Sequence, residues 1–171
     1  MPVPTPRATA VRATALAAAG LLLTAGGALA APAPASAPAA PRTTSAQVVN
    51  ARLAGHPSYD RIVIDVNGKL PDATVKQVTR LLYDGSGEHV PLAGKAFLQI
   101  ALTPAVAHNT AGDPVYKGPR LVRLHLTRVK GFAKIGDFEG YVTFGVALDK
   151  KSTWTVQRLS SPSRLVVDIR H

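Results

Sequence analysis

Asp60-Arg61-Ile62-Val63-Ile64-Asp65-Val66 returns near the end of the chain as Ser163-Arg164-Leu165-Val166-Val167-Asp168-Ile169. Aligned, both copies read Arg, branched aliphatic, Val, branched aliphatic, Asp, branched aliphatic. Side chains alternate between faces along a strand. Each copy therefore presents Arg, Val and Asp on one face and three aliphatics on the other. Two copies of one strand pattern, toward the two ends of one domain, predict an all-β body with rough internal symmetry. At about 3.3 Å per residue, Arg and Asp of one copy are too far apart to pair with each other. Antiparallel pairing centred on Val63 and Val166 sets Arg61 against Asp168 and Asp65 against Arg164. Parallel pairing in register stacks like charges, which disfavours it. The alternative is a set of solvated charges, worth at most about 1 kcal/mol per pair.

The rest of the domain reads the same way. No segment keeps a helical period, and turn signals recur every ten residues or so, as in a sandwich or barrel. Strands are expected over 47–53, 61–66, 74–83, 96–102, 121–128, 138–148, 153–159 and 164–169. Neither face of 74–83 is cleanly apolar, so its orientation is open. Val90-Pro91-Leu92 fits a short edge piece, because Pro cannot donate to a central ladder. Asp84-Gly85-Ser86-Gly87 is a turn, with Gly supplying positive φ. Residues 103–119 lack alternation and contain Pro104, Gly112-Asp113-Pro114 and Gly118-Pro119. They read as a long loop with room for one helical turn near Ala105, and long loops on β scaffolds often carry binding. In 121–128, Val122, Leu124 and Leu126 face inward, while Arg123, His125 and Thr127 face out. Trp154 shares a face with Val156 and reads as core.

The first 45 residues lie outside this pattern. Arg7 and Arg12 precede an apolar run over 13–30 that ends in Ala28-Leu29-Ala30. A basic start, an apolar middle and a small-x-small site are the parts of a secretory signal peptide over 1–30. A membrane anchor is the alternative. A span needs roughly 20 strongly apolar residues, and this run is mostly Ala with Gly20, Gly26 and Gly27, which favours cleavage. Residues 31–45, APAPASAPAAPRTTS, form a disordered, extended linker. The folded domain is then 46–171. The chain contains no Cys, which excludes disulfides and thiolate metal sites.

Lys plus Arg is 20 against 10 for Asp plus Glu. Setting aside Arg7 and Arg12 leaves 18 − 10, or +8, on the exported part. A basic secreted surface meets anionic wall polymers, phospholipid head groups or nucleic acid, or it serves solubility alone. The cations are spread out and aromatics make up only 5%. Nucleic-acid binders cluster the two, so nucleic acid ranks low.

The repeat, with Ser161-Pro162-Ser163 before its second copy, resembles the amidase N-terminal (AMIN) domain. It resembles more closely the AMIN-like domain of secreted actinobacterial proteins. The resemblance runs over about 48–171 and includes Tyr59-Asp60-Arg61, Asp84-Gly85-Ser86-Gly87-Glu88 and Ala107-His108. It also includes Tyr116-Lys117-Gly118-Pro119-Arg120 and Gly136-Asp137-Phe138-Glu139-Gly140. His89 departs from the family pattern, where Pro is usual, and this concerns only the local turn. The resemblance implies a compact β-sandwich of two packed sheets. It also implies a non-catalytic module that targets peptidoglycan in the cell envelope, here without an amidase domain in the same chain.

Catalytic readings fare poorly. Gly85-Ser86-Gly87 beside His89 lacks the strand-to-helix turn of a nucleophile elbow. Asp65 and Asp168 sit beside the Arg of their own motifs, which points to structural pairing rather than acid–base work. The five histidines show no short metal-ligand spacing. No catalytic residue, metal or cofactor is expected. The candidate ligand-binding set is Arg123 and His125 on the outward row, with Tyr116 and Arg120 on the preceding loop. These are planar donors suited to carboxylate or phosphate. The reading is a secreted or wall-associated module that binds peptidoglycan or an anionic wall polymer. The alternative is a module that holds another envelope protein through a sheet edge or the 103–119 loop.

Overall fold

A computed structural model describes residues 45–171; the expectations for 1–30 and 31–44 lie outside the described residues. The described residues form ten strands and no helix. They are β1 (Ala46–Gly55), β2 (Tyr59–Asn67), β3 (Asp72–Val78), β4 (Ala96–Thr103), β5 (Ala105–Val106), β6 (Leu121–Arg123), β7 (Val129–Phe138), β8 (Tyr141–Leu148), β9 (Trp154–Ser160) and β10 (Ser163–Arg170). One sheet has the order β5-β1-β2-β10-β9 and the other β3-β4-β8-β7-β6. The fold is an all-β sandwich of two packed sheets.

The two repeats are neighbours at the centre of the first sheet. β2 and β10 run antiparallel with Val63 opposite Val166, Arg61 opposite Asp168 and Asp65 opposite Arg164. Opposite charges meet on the outer face in this register. The same register turns Ile62, Ile64, Leu165, Val167 and Ile169 inward, and all five are fully buried. They share one apolar cluster with Leu98, Ile100 and Leu102 of β4 and Val142, Phe144, Val146 and Leu148 of β8. Phe132 of β7 stacks on Phe144, with ring centroids 5.2 Å apart.

A third, partial layer covers the outer face of the second sheet. Leu81, Val90 and Leu92 pack on Ala133, Ile135 and Ala147 in a separate cluster. The segment doubles back through hydrogen bonds from Tyr83 N to Glu88 O and from Val90 N to Leu81 O. Its tip is the Asp84–Gly87 turn, where Gly87 has φ of 69°. Glycine makes the close approach possible. A Cβ on Gly145 would lie 2.8 Å from Leu81 Cδ1, and one on Gly131 would lie 2.6 Å from Leu92 Cδ2.

Several expected strands change here. β3 stops at Val78 rather than residue 83, because Leu81 turns to cover the neighbouring strands. The helical turn near Ala105 is instead β5, a two-residue parallel partner of Ala46 and Gln47 on β1. The 121–128 strand ends at Arg123. The in–out alternation of burial continues to Thr127 without ladder pairing. β7 has no counterpart among the expected strands. Irregular register at Val129/Gly131 and Lys134/Gly136 breaks its alternation. Phe138 belongs to β7 rather than to the following strand, and it is solvent-exposed. Trp154 packs against the core, but Val156, on the same face, is exposed.

Two carboxylates tie β7 to the opposite sheet. Asp60 of β2 points inward and is fully buried. Its Oδ2 accepts hydrogen bonds from the backbone N–H of Arg128 at 2.6 Å and Val129 at 2.8 Å. Its Oδ1 lies 3.0 Å from His171 Nε2 at the chain end. At the other end of β7, Asp137 Oδ1 accepts from Ala107 N at 2.9 Å, and its carboxylate contacts His108 Nδ1 at 3.2 Å. Lys134 Nζ donates to Asp137 Oδ2 at 3.3 Å.

Burial pushes both carboxyl groups up, but their partners outweigh it. The amides of Val129 and Arg128, with His171, hold Asp60 below the usual range. The Ala107 amide, His108 and Lys134 do the same for Asp137. A group with a depressed folded pKa contributes stability above its unfolded value of about 4, and loses it as pH falls through the folded pKa. The midpoint of urea unfolding is therefore expected to hold steady from neutral pH to about 5 and to drop below about 4. Asp60→Asn should show a shallower acid slope. Asp60→Ala leaves two backbone amides without an acceptor and should cost roughly 3 kcal/mol at neutral pH.

Candidate functional site

Phe138 and Tyr141 are large aromatic side chains left 67% and 50% exposed. They form the cross-strand pair that closes the β7–β8 hairpin. The two residues between them, Glu139 and Gly140, have φ of 48° and 78°. Two positive φ values define the tight type I′ turn, whose twist matches that of the flanking strands. The aromatic pair therefore stands on a rigid tip rather than on a loose loop.

Behind this pair the outer face of the second sheet is shallow. Thr143 of β8 lies between Ala101 of β4 and Gly136 of β7, and Gln99 lies between Lys76 of β3 and Gly145 of β8. Small side chains in the middle leave a floor between the hairpin and the covering segment. Asp84 forms the far wall. Its carboxylate lies directly over Gly136, in space that any Cβ there would occupy. Two depressions of about 310 and 340 Å³ adjoin at Asp84 and Phe138. The first is lined also by Lys76, Gln99, Tyr141 and Thr143. Aromatic faces at one end and amide, hydroxyl, ammonium and carboxylate groups along the floor suit a flat polyhydroxylated chain. Apolar ring faces can lie on the aromatics while edges find donors and acceptors.

A larger cleft of about 810 Å³ opens at one end of the sandwich, among Gln47, Asn67, Lys69, Val106 and His108. His108 leans on Asp137 at its edge, which is two-thirds of a hydrolase triad. No hydroxyl hydrogen-bonds to His108 among the described residues, and Asp137 already serves Ala107 and Lys134. The dyad is a tie between sheets. Ser86 is likewise occupied in a turn, where its Oγ accepts from Glu88 N at 3.2 Å. Among the described residues no group of three or more His, Cys, Asp or Glu side chains could hold a metal ion.

The residues singled out from sequence for binding do not assemble into one site. Tyr116 is buried, its ring 5.7 Å from that of Phe144. Its hydroxyl donates to Pro119 O at 3.1 Å. Burial pushes the phenol above its usual range. It is a core residue with no face for a ligand, because the loop that carries it folds inward over Phe144. Arg120, Arg123 and His125 are exposed. Only Arg123 lies in a strand, and its Nη2 donates to Pro91 O at 3.3 Å. His125 stands in the irregular run beyond it, so the expected rigid row of donors is absent.

The charges of the repeat divide unevenly. Arg61 makes a two-pronged pair with Asp168, both contacts at 2.7 Å. Asp65 is taken by Arg52 of β1, at 3.0 and 2.8 Å, and not by Arg164. The trough itself escaped sequence reading because Phe138 reads as one member of an alternating apolar run. The usable signal is the Glu139-Gly140 turn between two aromatics.

Tyr116→Phe removes one buried hydrogen bond and should cost roughly 1 kcal/mol in urea titration. Its retention on envelope material should equal that of the wild type. A selective loss of binding would return Tyr116 to the site.

The comparison with known proteins adds the family. No curated protein matches the chain. A family model described as the AMIN-like domain matches residues 46–171, from the first residue of β1 to the last residue of the chain. That match covers well over half the chain and takes in both copies of the repeat and the hairpin, and the protein belongs to the AMIN-like domain family.

Proposed function

We propose that this protein is a non-catalytic module that docks on the cell envelope by laying a glycan strand, such as that of peptidoglycan, in the trough beside Phe138 and Tyr141. The observation that carries the reading is the exposed aromatic pair held on a two-residue turn at the end of a polar, shallow floor. Water-exposed aromatics of this size are unfavourable unless a partner covers them. The rigid hairpin lets them do so with little ordering entropy. Gln99, Thr143, Lys76 and Asp84 offer both donors and acceptors, which suits hydroxyl and acetamido groups better than a purely anionic ligand. Membership of the AMIN-like family supports a non-catalytic, envelope-related role. The basic and apolar N-terminal sequence supports export.

A second reading, capture of another envelope protein, is favoured by one feature. β9 is an edge strand with Val156 and Leu159 exposed at 42% and 37%. Such an edge can accept an added strand.

Sedimentation of the full chain with purified peptidoglycan separates the two. Phe138→Ala and Tyr141→Ala should each weaken retention about tenfold or more. Their folding stability should stay within about 0.5 kcal/mol of wild type, since both side chains are exposed. Retention of the double variant at the wild-type level removes the trough, and sedimentation with protein-bearing envelope but not with purified peptidoglycan, lost when Val156 and Leu159 are replaced by Ser, moves the function to the β9 edge.

A further inference from the structure

The outer face of the other sheet carries a different chemistry. Alternation along β2 and β10 turns Tyr59, Arg61, Val63, Asp65, Arg164, Val166, Asp168 and Arg170 outward, and Arg52 of β1 joins them through Asp65. Four arginines, Arg52, Arg61, Arg164 and Arg170, thus stand against two aspartates, Asp65 and Asp168. Both aspartates are already engaged, Asp168 by Arg61 and Asp65 by Arg52. Arg170 and Arg164 are left over, and of the two only Arg164 faces a carboxylate across the sheet. The register places it opposite Asp65, yet Arg52 reaches that carboxylate from the other flank. Among the described residues, Arg164 Nε is the only buried side-chain nitrogen or oxygen without a hydrogen-bond partner. Buried polar groups are satisfied as a rule, and each exception calls for an explanation.

We infer that this face binds the phosphodiester groups of an anionic envelope polymer, with Arg164 as the residue that anchors them. A guanidinium offers a planar fork of donors that matches a pair of phosphate oxygens. Val166 and Asp168 are 5% and 6% exposed although they lie on an outer face. The base of the Arg164 side chain is therefore closely covered and its Nε is shut off from solvent, so a phosphate meets the two Nη groups at its tip, where the contact is less weakened by water than on an open rim. Surplus positive charge on a flat sheet suits a repeating, extended polyanion. It does not suit a bilayer. A membrane-seated surface pairs its cations with apolar side chains that enter the lipid. Here Leu159, opposite Arg164, is the only large exposed aliphatic on the outward row of β9. This inference does not depend on the glycan trough, which lies on the other sheet.

The test is fluorescence anisotropy of the full chain with labelled poly(glycerol phosphate), poly-glutamate of equal charge and vesicles of phosphatidylglycerol. Wild type should prefer poly(glycerol phosphate), with affinity that falls steeply between 50 and 200 mM salt. Arg164→Gln should weaken that binding roughly tenfold, and Arg164→Lys should recover only part of it, because an ammonium lacks the fork. Lys117→Gln, which removes a charge from an exposed loop, and Phe138→Ala should bind as wild type. The inference is overturned by any of three results: unchanged binding of Arg164→Gln, an equal loss in Lys117→Gln, or binding to poly-glutamate or vesicles as tight as to the phosphate polymer. Both Arg164 variants are checked for an unchanged unfolding midpoint. Should Arg164→Gln unfold, failure of the folded Arg164→Lys variant to differ from wild type overturns it as well.

Discussion

Asp60 holds the sandwich closed at the point where its two sheets have to agree. A charged carboxylate with no solvent exposure is costly unless every lone pair finds a donor. Asp60 finds three, two of them the backbone amides of Arg128 and Val129 where β7 of the opposite sheet begins. Hydrophobic packing alone is non-directional and would tolerate sliding of one sheet over the other. A buried carboxylate tolerates none, since a shift of an ångström leaves amides and charge unpaired. Asp137 repeats the device at the other end of β7. β7 is therefore fixed at both ends despite two irregularities in its pairing. The hairpin that follows inherits that rigidity, and with it the position of Phe138 and Tyr141.

The two outer faces then diverge. One is partly covered by the segment that carries Leu81, Val90 and Leu92, and what remains open is a shallow trough with aromatics at its end. Among the described residues the other has no such layer and is covered by its own arginine and aspartate side chains. Glycine decides the first arrangement. Gly131 and Gly145 leave room for leucine side chains, and Gly136 leaves room for the Asp84 carboxylate. Charge decides the second, because four arginines stand against two carboxylates along β1, β2 and β10.

Much of the fold was legible from residue order. The period-two pattern of β2 and β10 divided their residues into an aliphatic face and an Arg-Val-Asp face as the structure does, since a strand's faces are set by parity alone. Charge complementarity between the repeats pointed to their antiparallel register. β7 was not legible, because a bulge shifts parity midway and the pattern read from either end cancels. β5 was not legible either: two residues carry too little pattern to be told from a loop. Among the proposed binding residues, Tyr116 was misread for a reason of the same kind. A tyrosine after a proline-rich loop looks exposed, and only the packing of that loop over Phe144 shows its ring to be core.

The order of residues by itself determined the all-β class, the division of the central strands into an aliphatic and a charged face and the charges brought together on one of them. These are local or pairwise properties, decided by alternation and by the sign of neighbouring charges. Tertiary structure alone decided which carboxylate each arginine holds, which glycines lie under the covering segment and which aromatics are left in water. Those outcomes depend on distances between elements far apart in the chain, and such distances are set by the joint packing of both sheets rather than by any one strand.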